Sequence, residues 1–333
     1  KMNIDPYSKI WQLSVGEQQR VEILTAIYQG ADILILDEPT AVLTPQEANI
    51  LFDMLRHMKA DGKSIILITH KLEEIISIVD EVTVLRDGEL IGSKLVDEHT
   101  TKEELTKMMV GRDVLFNFDK NQKAPGAVKV ELKGLSASND KGLPALTDFN
   151  LTVHEGEILG LAGVDGNGQK ELCEVLTGLR KADGGQFLFK GKEVINQPPV
   201  FYINSGISHI PEDRMTTGLA LNWSLKKNLI IKKFHKAPFS KNGLLNQKAI
   251  DAYWDKCQKE YQIKANSGED HARALSGGNQ QKVILARELD DHPEMVIANQ
   301  PTRGLDIGAS EYVRQKILDA RNDGAAVLLV SAD

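Results

Sequence analysis

At 333 residues the chain is long enough for about two domains, and its 41% hydrophobic and 26% charged residues are ordinary globular composition. The net charge of -7 argues against a general nucleic-acid-binding surface, because proteins with such a surface usually carry a basic excess. No stretch of the sequence approaches the roughly 20 apolar residues that a membrane span requires. The two cysteines, Cys173 and Cys257, lack metal-ligand spacing and predict reduced, structural thiols in a reducing compartment.

The first predicted strand occupies residues 33–36, whose sequence ILIL is typical of a strand buried on both faces of a parallel sheet. It leads into Asp37 and Glu38, and the carboxyl ends of such strands are where open α/β sheets bind ligands. There Asp37 can hold Mg²⁺, mainly through the water shell of the ion, and Glu38 can polarise an attacking water. A second apolar run at residues 65–68 brings His70 to the same edge, where its imidazole can contact a terminal phosphate.

A short polar linker divides the chain. It covers residues 114–127, contains Asn, Lys, Gln, Pro and Gly, and separates a domain at residues 1–113 from one at residues 128–333. Before the linker, residues 82–91 predict a strand, a turn and a second strand. After it, residues 211–272 predict a helical insertion within the second domain.

The two domains contain the same motifs in the same register. LSVGEQQRVEILTAI at residues 13–27 returns 262 residues later as LSGGNQQKVILAREL at residues 275–289. DEPT at residues 37–40 returns at the same interval as NQPT at residues 299–302. A period this long indicates a duplicated domain rather than a solenoid unit.

The repeat also indicates what the first domain lacks. The second half has a glycine-rich loop that starts at Gly163, and its first-half counterpart would lie about one hundred residues before Lys1. We therefore expect an N-terminally truncated fragment with an incomplete first domain. Such a piece exposes core surface unless something covers it.

Two kinds of small-residue motif predict phosphate contacts. A serine hydroxyl, small residues and the free N–H groups of a helix start form an anion site. A glycine-rich loop ahead of a helix lets the backbone itself approach a phosphate. The predicted positions are Ser14, Gly16, Ser276, Gly277 and Gly278 at helix starts, and Gly163, Gly166 and Gly168 in the loop.

These motifs resemble those of ABC transporter ATPases. LSGGNQQ and LSVGEQQ resemble the signature motif, ILILDEPTAVLTPQE the Walker B motif, and LITHK the switch-histidine motif. The tandem form resembles the fused ATPase subunits of bacterial simple-sugar and nucleoside importers, and the resemblance covers essentially the whole chain. GVDGNGQ, HIPEDR, HARALSGGNQQK and QPTRGLD are most similar to the nucleoside-import branch.

The resemblance implies an α/β fold of ABC-type P-loop NTPase domains. Each complete domain has a RecA-like parallel sheet core, an antiparallel β subdomain and a helical signature subdomain. The implied cofactors are ATP and Mg²⁺. The implied partners are integral-membrane permease subunits and, indirectly, an extracellular solute-binding lipoprotein, with no nucleic acid, and the implied location is the cytoplasmic face of the cell membrane.

In ABC ATPases each nucleotide lies between the phosphate loop of one domain and the signature of the other. The resemblance therefore assigns Asp37, Glu38 and His70 to a site shared with the second-half signature. It assigns the second-half phosphate loop to a site shared with the first-half signature. The implied nucleotide contacts are Ser276, Gly277, Gly278 and Gln280 in the first of these sites, and Ser14, Gly16, Gly163, Gly166, Gly168, Gln169 and Lys170 in the second.

The second site departs from the family pattern. A phosphate loop of the form GxxGxGK[ST] uses its lysine to meet the β- and γ-phosphates and its hydroxyl to ligate magnesium, but Gln169 and Lys170 stand at these positions. One step along a helix rotates a side chain by about 100°, so Lys170 cannot directly replace the lysine. Asn299-Gln300 replaces the Walker B carboxylates, and Ala332 stands at the switch-histidine position. We therefore expect one hydrolytic and one degenerate, non-hydrolytic site.

The implied function is that of the ATP-hydrolysing subunit of an ABC importer for nucleosides, with the 333 residues alone inactive. An importer for simple sugars of the ribose or galactose type is the main alternative. A soluble tandem ABC protein that acts on ribosomes or DNA is disfavoured by the short linker, because such proteins usually keep both sites intact and have long charged linkers. A non-hydrolysing regulatory module is the third class.

Overall fold

The computed structural model of the chain contains two compact units. Unit 1 consists of the residues up to Phe116 together with Asp306–Gly308, and unit 2 consists of the rest. The described residues are 7–10, 15–40, 43, 45–86, 88–111, 124–163 and 166–331. None of the helices in these ranges has the length and apolar character that a membrane crossing requires.

Unit 1 contains a two-stranded parallel sheet. Its elements are α1 (Val15–Tyr28), β1 (Ile33–Asp37), α2 (Pro45–Ala60), β2 (Ser64–Ile68), α3 (Leu72–Ile78), β3 (Glu81–Arg86), β4 (Glu89–Leu95) and α4 (Lys102–Val110). Asp37 at the end of β1 pairs with Ile68 at the end of β2, so the carboxyl ends of the two strands meet as predicted. The expected strand-turn-strand is confirmed as the antiparallel hairpin of β3 and β4.

One face of β1 is exposed, and the predicted burial of this strand on both faces is wrong for the described structure. Leu34 and Leu36 are 5% and 7% exposed, and they pack into a core with α2. Ile33 and Ile35, which point to the opposite face, are 62% and 63% exposed. The reason is that, among the described residues, the hydrophobic core of this sheet includes Leu34 and Leu36 but neither Ile33 nor Ile35.

Unit 2 contains the elements that follow the linker, of which residues 114–123 lie outside the described ranges. These elements are β5 (Val128–Ser138), β6 (Pro144–His154), β7 (Ile158–Ala162), α5 (Gln169–Leu176), β8 (Gly184–Phe189), β9 (Lys192–Glu193), α6 (Pro199–Asn204), β10 (Ile207–Ile210), a π-helical turn (Arg214–Gly218), α7 (Leu225–Ile230), β11 (Ser240–Lys241), β12 (Leu244–Leu245), α8 (Gln247–Glu260), α9 (Gly277–Leu289), β13 (Met295–Asn299), α10 (Ile307–Asn322) and β14 (Ala326–Ser331).

The expected three-part architecture is confirmed in unit 2. A parallel sheet has the strand order β10-β13-β14-β7, and an antiparallel sheet has the order β6-β5-β8-β9. The predicted helical insertion contains α7 and α8, and α7 packs against α9. Trp254 and Tyr261 are 4% and 3% exposed and pack in this part of the core.

The sequence repeat is also a repeat of local structure. The helices α2 and α10 and the strands β1 and β13 start 262 residues apart. The parallel pairing has the same register, because Ile33 lies opposite Ser64 in unit 1 and Met295 lies opposite Ala326 in unit 2. The duplicated-domain interpretation therefore holds at the level of strand register.

Candidate active site

The end of β1 places Asp37 and Glu38 at the edge of the parallel sheet. Asp37 is the last residue of the strand and is exposed. Glu38 has a φ of 47°, and its N–H donates a hydrogen bond of 2.9 Å to the carbonyl of Ile68. A left-handed conformation costs a residue with a side chain about 1–2 kcal/mol, so the neighbouring structure must hold Glu38 in it.

Unit 2 repeats this turn with an amide in place of the carboxylate. Gln300 has a φ of 46°, and its N–H donates to the carbonyl of Val330 at 2.8 Å. The backbone that presents the two side chains is therefore the same. The difference between the halves at this position is chemical, because a carboxylate can accept a proton and an amide cannot.

Glu38 and His70 form a hydrogen-bonded pair. His70 Nδ1 lies 2.8 Å from Glu38 Oε1, and both side chains are partly buried. This hydrogen bond raises the pKa of His70 above its usual value of 6.5, while burial opposes the shift. The second carboxylate oxygen of Glu38 is buried and has no hydrogen-bond partner in the described residues.

The Glu38–His70 contact can be tested by titration. In Glu38→Gln the pKa of His70 should fall towards 6.5, because the charged acceptor that favours the imidazolium is gone. Since the pKa of folded His70 is raised, the pair should stabilise the chain fully below about pH 6.5, the pKa of unfolded His70, and lose this contribution as the pH rises through the folded pKa. An NMR titration of the imidazole measures the shift.

Glu73→Gln provides the matched control for this titration. Glu73 is the exposed neighbour of the site on α3, and its carboxylate lies 2.6 Å from Lys102 Nζ. The substitution removes the same charge without touching His70, so it should leave the titration unchanged. An unaltered pKa of His70 in Glu38→Gln would show that the pair does not form in solution.

A single carboxylate is available for a cation at the end of β1. Among the described residues, no group of three or more His, Cys, Asp or Glu side chains is placed to ligate a metal. Mg²⁺ nevertheless fits Asp37, since this ion keeps several waters and is usually held by one or two carboxylates together with the phosphates of the substrate. Asp37 would hold the ion, which would neutralise charge that develops on the phosphates.

The glycine-rich loop of unit 2 connects β7 with α5. Gly168 precedes α5 with a φ of 92°, and a Cβ on it would lie 2.5 Å from the carbonyl oxygen of Ala145. Gly166 has a φ of 86°. Both positions therefore require glycine for backbone reasons. Val164 and Asp165, which stand in the same loop, lie outside the described residues.

The side chain of Gln169 folds back over this loop. Its Oε1 accepts a hydrogen bond of 3.1 Å from the N–H of Asn167, and its Nε2 lies 2.3 Å from the position that a Cβ on Gly163 would take. Lys170 points elsewhere, with its Nζ 3.3 Å from Asp140 Oδ2 and its side chain 57% exposed. The amide of Gln169 thus occupies the loop, and Lys170 is engaged in an ion pair outside it.

The second-half signature begins α9. Ser276 has an extended backbone at the helix N-cap, and its Oγ accepts a hydrogen bond of 3.1 Å from Asn279 Nδ2. Gly277 has no atom closer than 3.4 Å to its hypothetical Cβ, and Gly278 faces Ala309 at 3.2 Å. A side chain therefore has room at Gly277, whereas Gly278 is packed tightly against Ala309.

Gln280 lies in the interior and not at the open helix start. It is 6% exposed, and its Nε2 donates a hydrogen bond of 3.1 Å to the carbonyl of Ala272. The neighbouring Gln281 is 1% exposed and donates to the carbonyl of Pro301 at 2.9 Å. These two amides fix the start of α9 and the segment after β13 in place, a role that the sequence analysis did not identify for Gln281.

The first-half signature is only partly within the described structure. Gly16 lies in α1, whereas Ser14 lies outside the described residues. Ala332 lies outside them as well. The structure therefore adds nothing to the predicted nucleotide contact of Ser14 or to the switch-histidine position of unit 2.

Sequence reasoning also missed a contact between two loops of unit 2. Arg214 Nη1 donates a hydrogen bond of 2.6 Å to the carbonyl of Arg303, and the Arg303 guanidinium forms an ion pair with Glu212. Burial lowers the pKa of Arg214. The sequence shows HIPEDR and QPTRGLD as separate motifs. Nothing in their spacing indicates that Arg214 bonds to the backbone of Arg303 or that Arg303 pairs with Glu212.

The family model and the similar proteins that match this chain agree with one another. A family model described as ABC transporter matches residues 2–41 and 146–303. The chain is 46% identical to a glucose import ATP-binding protein of Haloferax volcanii over 99% of the chain and 60% of that protein. It is 43% identical to a nucleoside import ATP-binding protein of Lactococcus lactis over 99% of the chain and 65% of that protein. It is 46% identical to a guanosine import ATP-binding protein of Bacillus subtilis over 99% of the chain and 64% of that protein.

Solved structures with the same fold are ATP-binding cassettes. A nucleotide-free cassette from an ABC transporter aligns with a TM-score of 0.52 at 21% identity, over 61% of this chain and 81% of that chain. A dimeric bacterial ABC transporter cassette aligns with a TM-score of 0.53 at 22% identity, over 61% and 88%. The chain spans 60–65% of the length of the three curated relatives.

Proposed function

This chain belongs to the ABC transporter family, and we propose that it forms part of the ATP-hydrolysing subunit of a nucleoside importer. In this proposal the subunit binds integral-membrane permeases at the cytoplasmic face of the membrane, and it works with an extracellular solute-binding lipoprotein. Two relatives named for nucleoside and guanosine import support the solute class. A relative named for glucose import is 46% identical, as is the relative named for guanosine import, and it supports simple-sugar import as the alternative.

One observation supports hydrolysis most strongly, the hydrogen bond of 2.8 Å between His70 Nδ1 and Glu38 Oε1. In the proposed mechanism Glu38 accepts the proton of the attacking water, and His70 donates its other ring N–H to the terminal phosphate. Asp37 holds Mg²⁺ through its water shell, which balances the charge of the phosphates. The pair places a base and a donor side by side at the edge of the sheet.

The second part of the hydrolytic site is the second-half signature. Ser276, Gly277 and Gly278 at the start of α9 donate hydrogen bonds to the terminal phosphate from the opposite side of the nucleotide. Gln280 supports this helix start from the interior through its bond to Ala272.

The other composite site is proposed to be degenerate. It combines the glycine-rich loop of unit 2, at Gly163, Gly166 and Gly168, with Ser14 and Gly16 of the first-half signature. Gln169 supplies no positive charge to a phosphate, and the ion pair of Lys170 with Asp140 directs that lysine elsewhere. Gln300 supplies no base. This site can serve nucleotide binding without hydrolysis.

The solute class is tested with the assembled transporter. The complete subunit that contains these residues should co-purify with permeases from membranes. In proteoliposomes its ATP turnover should rise when guanosine, the nucleoside used as the probe, is added, and should not rise with glucose. Stimulation by glucose alone would establish the sugar alternative. Failure to capture any permease would contradict the importer proposal itself.

A further inference from the structure

A buried carboxylate contacts the two segments that carry Glu38 and His70. Glu74, on α3, has a side chain that is 8% exposed. A buried carboxyl group is costly unless hydrogen bonds satisfy its oxygens, so the partners of Glu74 indicate what this residue does.

Both oxygens of Glu74 are satisfied by hydroxyls from the two loops of the active site. Thr40 Oγ1 donates a hydrogen bond to Glu74 Oε1, and Thr69 Oγ1 donates one of 3.1 Å to Glu74 Oε2. Thr40 itself is 1% exposed. One carboxyl group thus joins the loop that follows β1 to the loop that follows β2.

Lys71 completes this cluster. Its Nζ donates to the carbonyl oxygen of Thr40 at 3.2 Å and lies 3.6 Å from Glu74 Oε1. Its backbone N–H donates to Thr69 Oγ1 at 3.1 Å. The polar atoms of the cluster are therefore connected to one another.

The two threonines that bind Glu74 stand close in sequence to the catalytic pair. Thr40 stands two residues after Glu38, and Thr69 stands directly before His70. We propose that Glu74 is a positioning residue, which holds Glu38 and His70 at hydrogen-bonding distance by fixing the two loops that carry them. This inference rests on the proposed hydrolytic function of that pair.

The strained backbone at Glu38 makes such a support necessary. A residue with a φ of 47° persists in that conformation only when its surroundings over-determine it. The backbone bond from Glu38 to Ile68 fixes the strand ends, but it does not fix the segments beyond them. Glu74 supplies that constraint, and a misplacement of about 1 Å at a reacting group can cost on the order of 10² in rate.

Glu74→Gln in the complete, permease-bound subunit tests the proposal. The amide keeps the shape of the side chain, but its nitrogen cannot accept the hydroxyl of a threonine. We expect kcat for ATP to fall on the order of 10²-fold with the KM for ATP unchanged, and Glu74→Asp to recover part of the loss. Glu73→Gln on the same helix is the matched control and should keep wild-type kcat and KM, since Glu73 faces Lys102.

The pKa of His70 is a second measurement, which reports on the Glu38–His70 hydrogen bond directly. The groups that face His70 are Glu38 and Glu74, which raise its pKa, and Lys71, which lowers it. An NMR titration should therefore give a lower pKa of His70 in Glu74→Gln, and an unchanged value in Glu73→Gln. Because Glu74→Gln also removes a charge, the positioning role is read from Thr69→Val, which breaks the bond to Glu74 without changing a charge and should still lower the pKa of His70. An unchanged pKa of His70 in Thr69→Val would contradict the positioning role.

Thr69→Val keeps the proposal testable if Glu74→Gln fails to fold. It removes one of the two hydroxyl bonds and leaves Glu74 in place, and we expect it to lower kcat without changing the KM for ATP. Wild-type kcat in a folded Glu74→Gln or Thr69→Val subunit would overturn the inference, as would a loss in which ATP affinity falls equally. Glu38→Gln is measured in parallel, because full activity in that variant would refute the proposed function and not the role of Glu74 alone.

Discussion

Glu38→Gln should reduce ATP turnover by the assembled transporter about 10²- to 10⁴-fold, the range that a positioned general base contributes. The substitution removes the proton acceptor and keeps the shape of the side chain. ATP binding should persist, because Glu38 acts on the water and not on the nucleotide. The fold should persist as well, since Gln300 occupies the corresponding turn with a φ of 46°, within one degree of Glu38.

The experiment compares phosphate release with nucleotide binding in the same preparation. Gln300→Glu is the matched control, because it installs a carboxylate in the same backbone conformation of unit 2. It should not increase turnover, since Gln169 and Lys170 leave that site without a phosphate-loop lysine. Retention of most of the wild-type turnover in Glu38→Gln would mean that the hydrolytic site has been assigned to the wrong residues.

The fold of the repeated segments could be predicted because the repeat period and the apolar runs can be read directly from the sequence. The 262-residue period predicted that β13 corresponds to β1, and two apolar runs predicted that β1 and β2 end at the same edge of the sheet. The exact register, with Asp37 opposite Ile68, came from the structure. The meeting of Glu38 and His70 was predictable for the same reason. Parallel strands bring their carboxyl ends to one edge, so residues that follow neighbouring strands come together.

The exposed face of β1 could not be deduced from the run ILIL. An apolar sequence indicates that a strand can be buried on both faces, but burial depends on which other segments lie against it. In unit 1 of the described structure, Ile33 and Ile35 have no such cover. The corresponding strand in unit 2, at Met295–Asn299, is buried throughout. Its alternate side chains pack into two different hydrophobic clusters, Val296 and Ala298 into one and Met295 and Ile297 into the other.

Long-range side-chain contacts were the other part that sequence could not provide. Glu74 stands next to Glu73 in the sequence, yet one carboxylate is buried against two threonines and the other pairs with Lys102 near the surface. Likewise, the sequence shows that glutamine and not lysine stands at position 169. That the amide of Gln169 lies over Gly163 depends on the geometry of the loop and could not be predicted. Contacts of this kind are set by tertiary packing and have no local signature.

Ser276→Arg should reduce transport-coupled turnover by about 10²- to 10³-fold, the typical cost of losing one donor to charge that develops in a transition state. In the proposed arrangement Ser276 at the start of α9 faces the nucleotide that Glu38 and His70 act upon. Arginine would also obstruct the open helix start beside Gly277. Ser14→Arg makes the same change in the first-half signature, which the proposal pairs with the non-hydrolytic loop of unit 2.

The asymmetry of the two signatures is the central claim, and the paired comparison of these variants tests it directly. ATP turnover is measured for Ser276→Arg and Ser14→Arg in the complete subunit, reconstituted with its permeases and solute-binding protein. The account predicts a loss of about 10²- to 10³-fold in Ser276→Arg and turnover close to wild type in Ser14→Arg. Equal losses in the two variants, or a larger loss in Ser14→Arg, would contradict the division into one hydrolytic and one degenerate site.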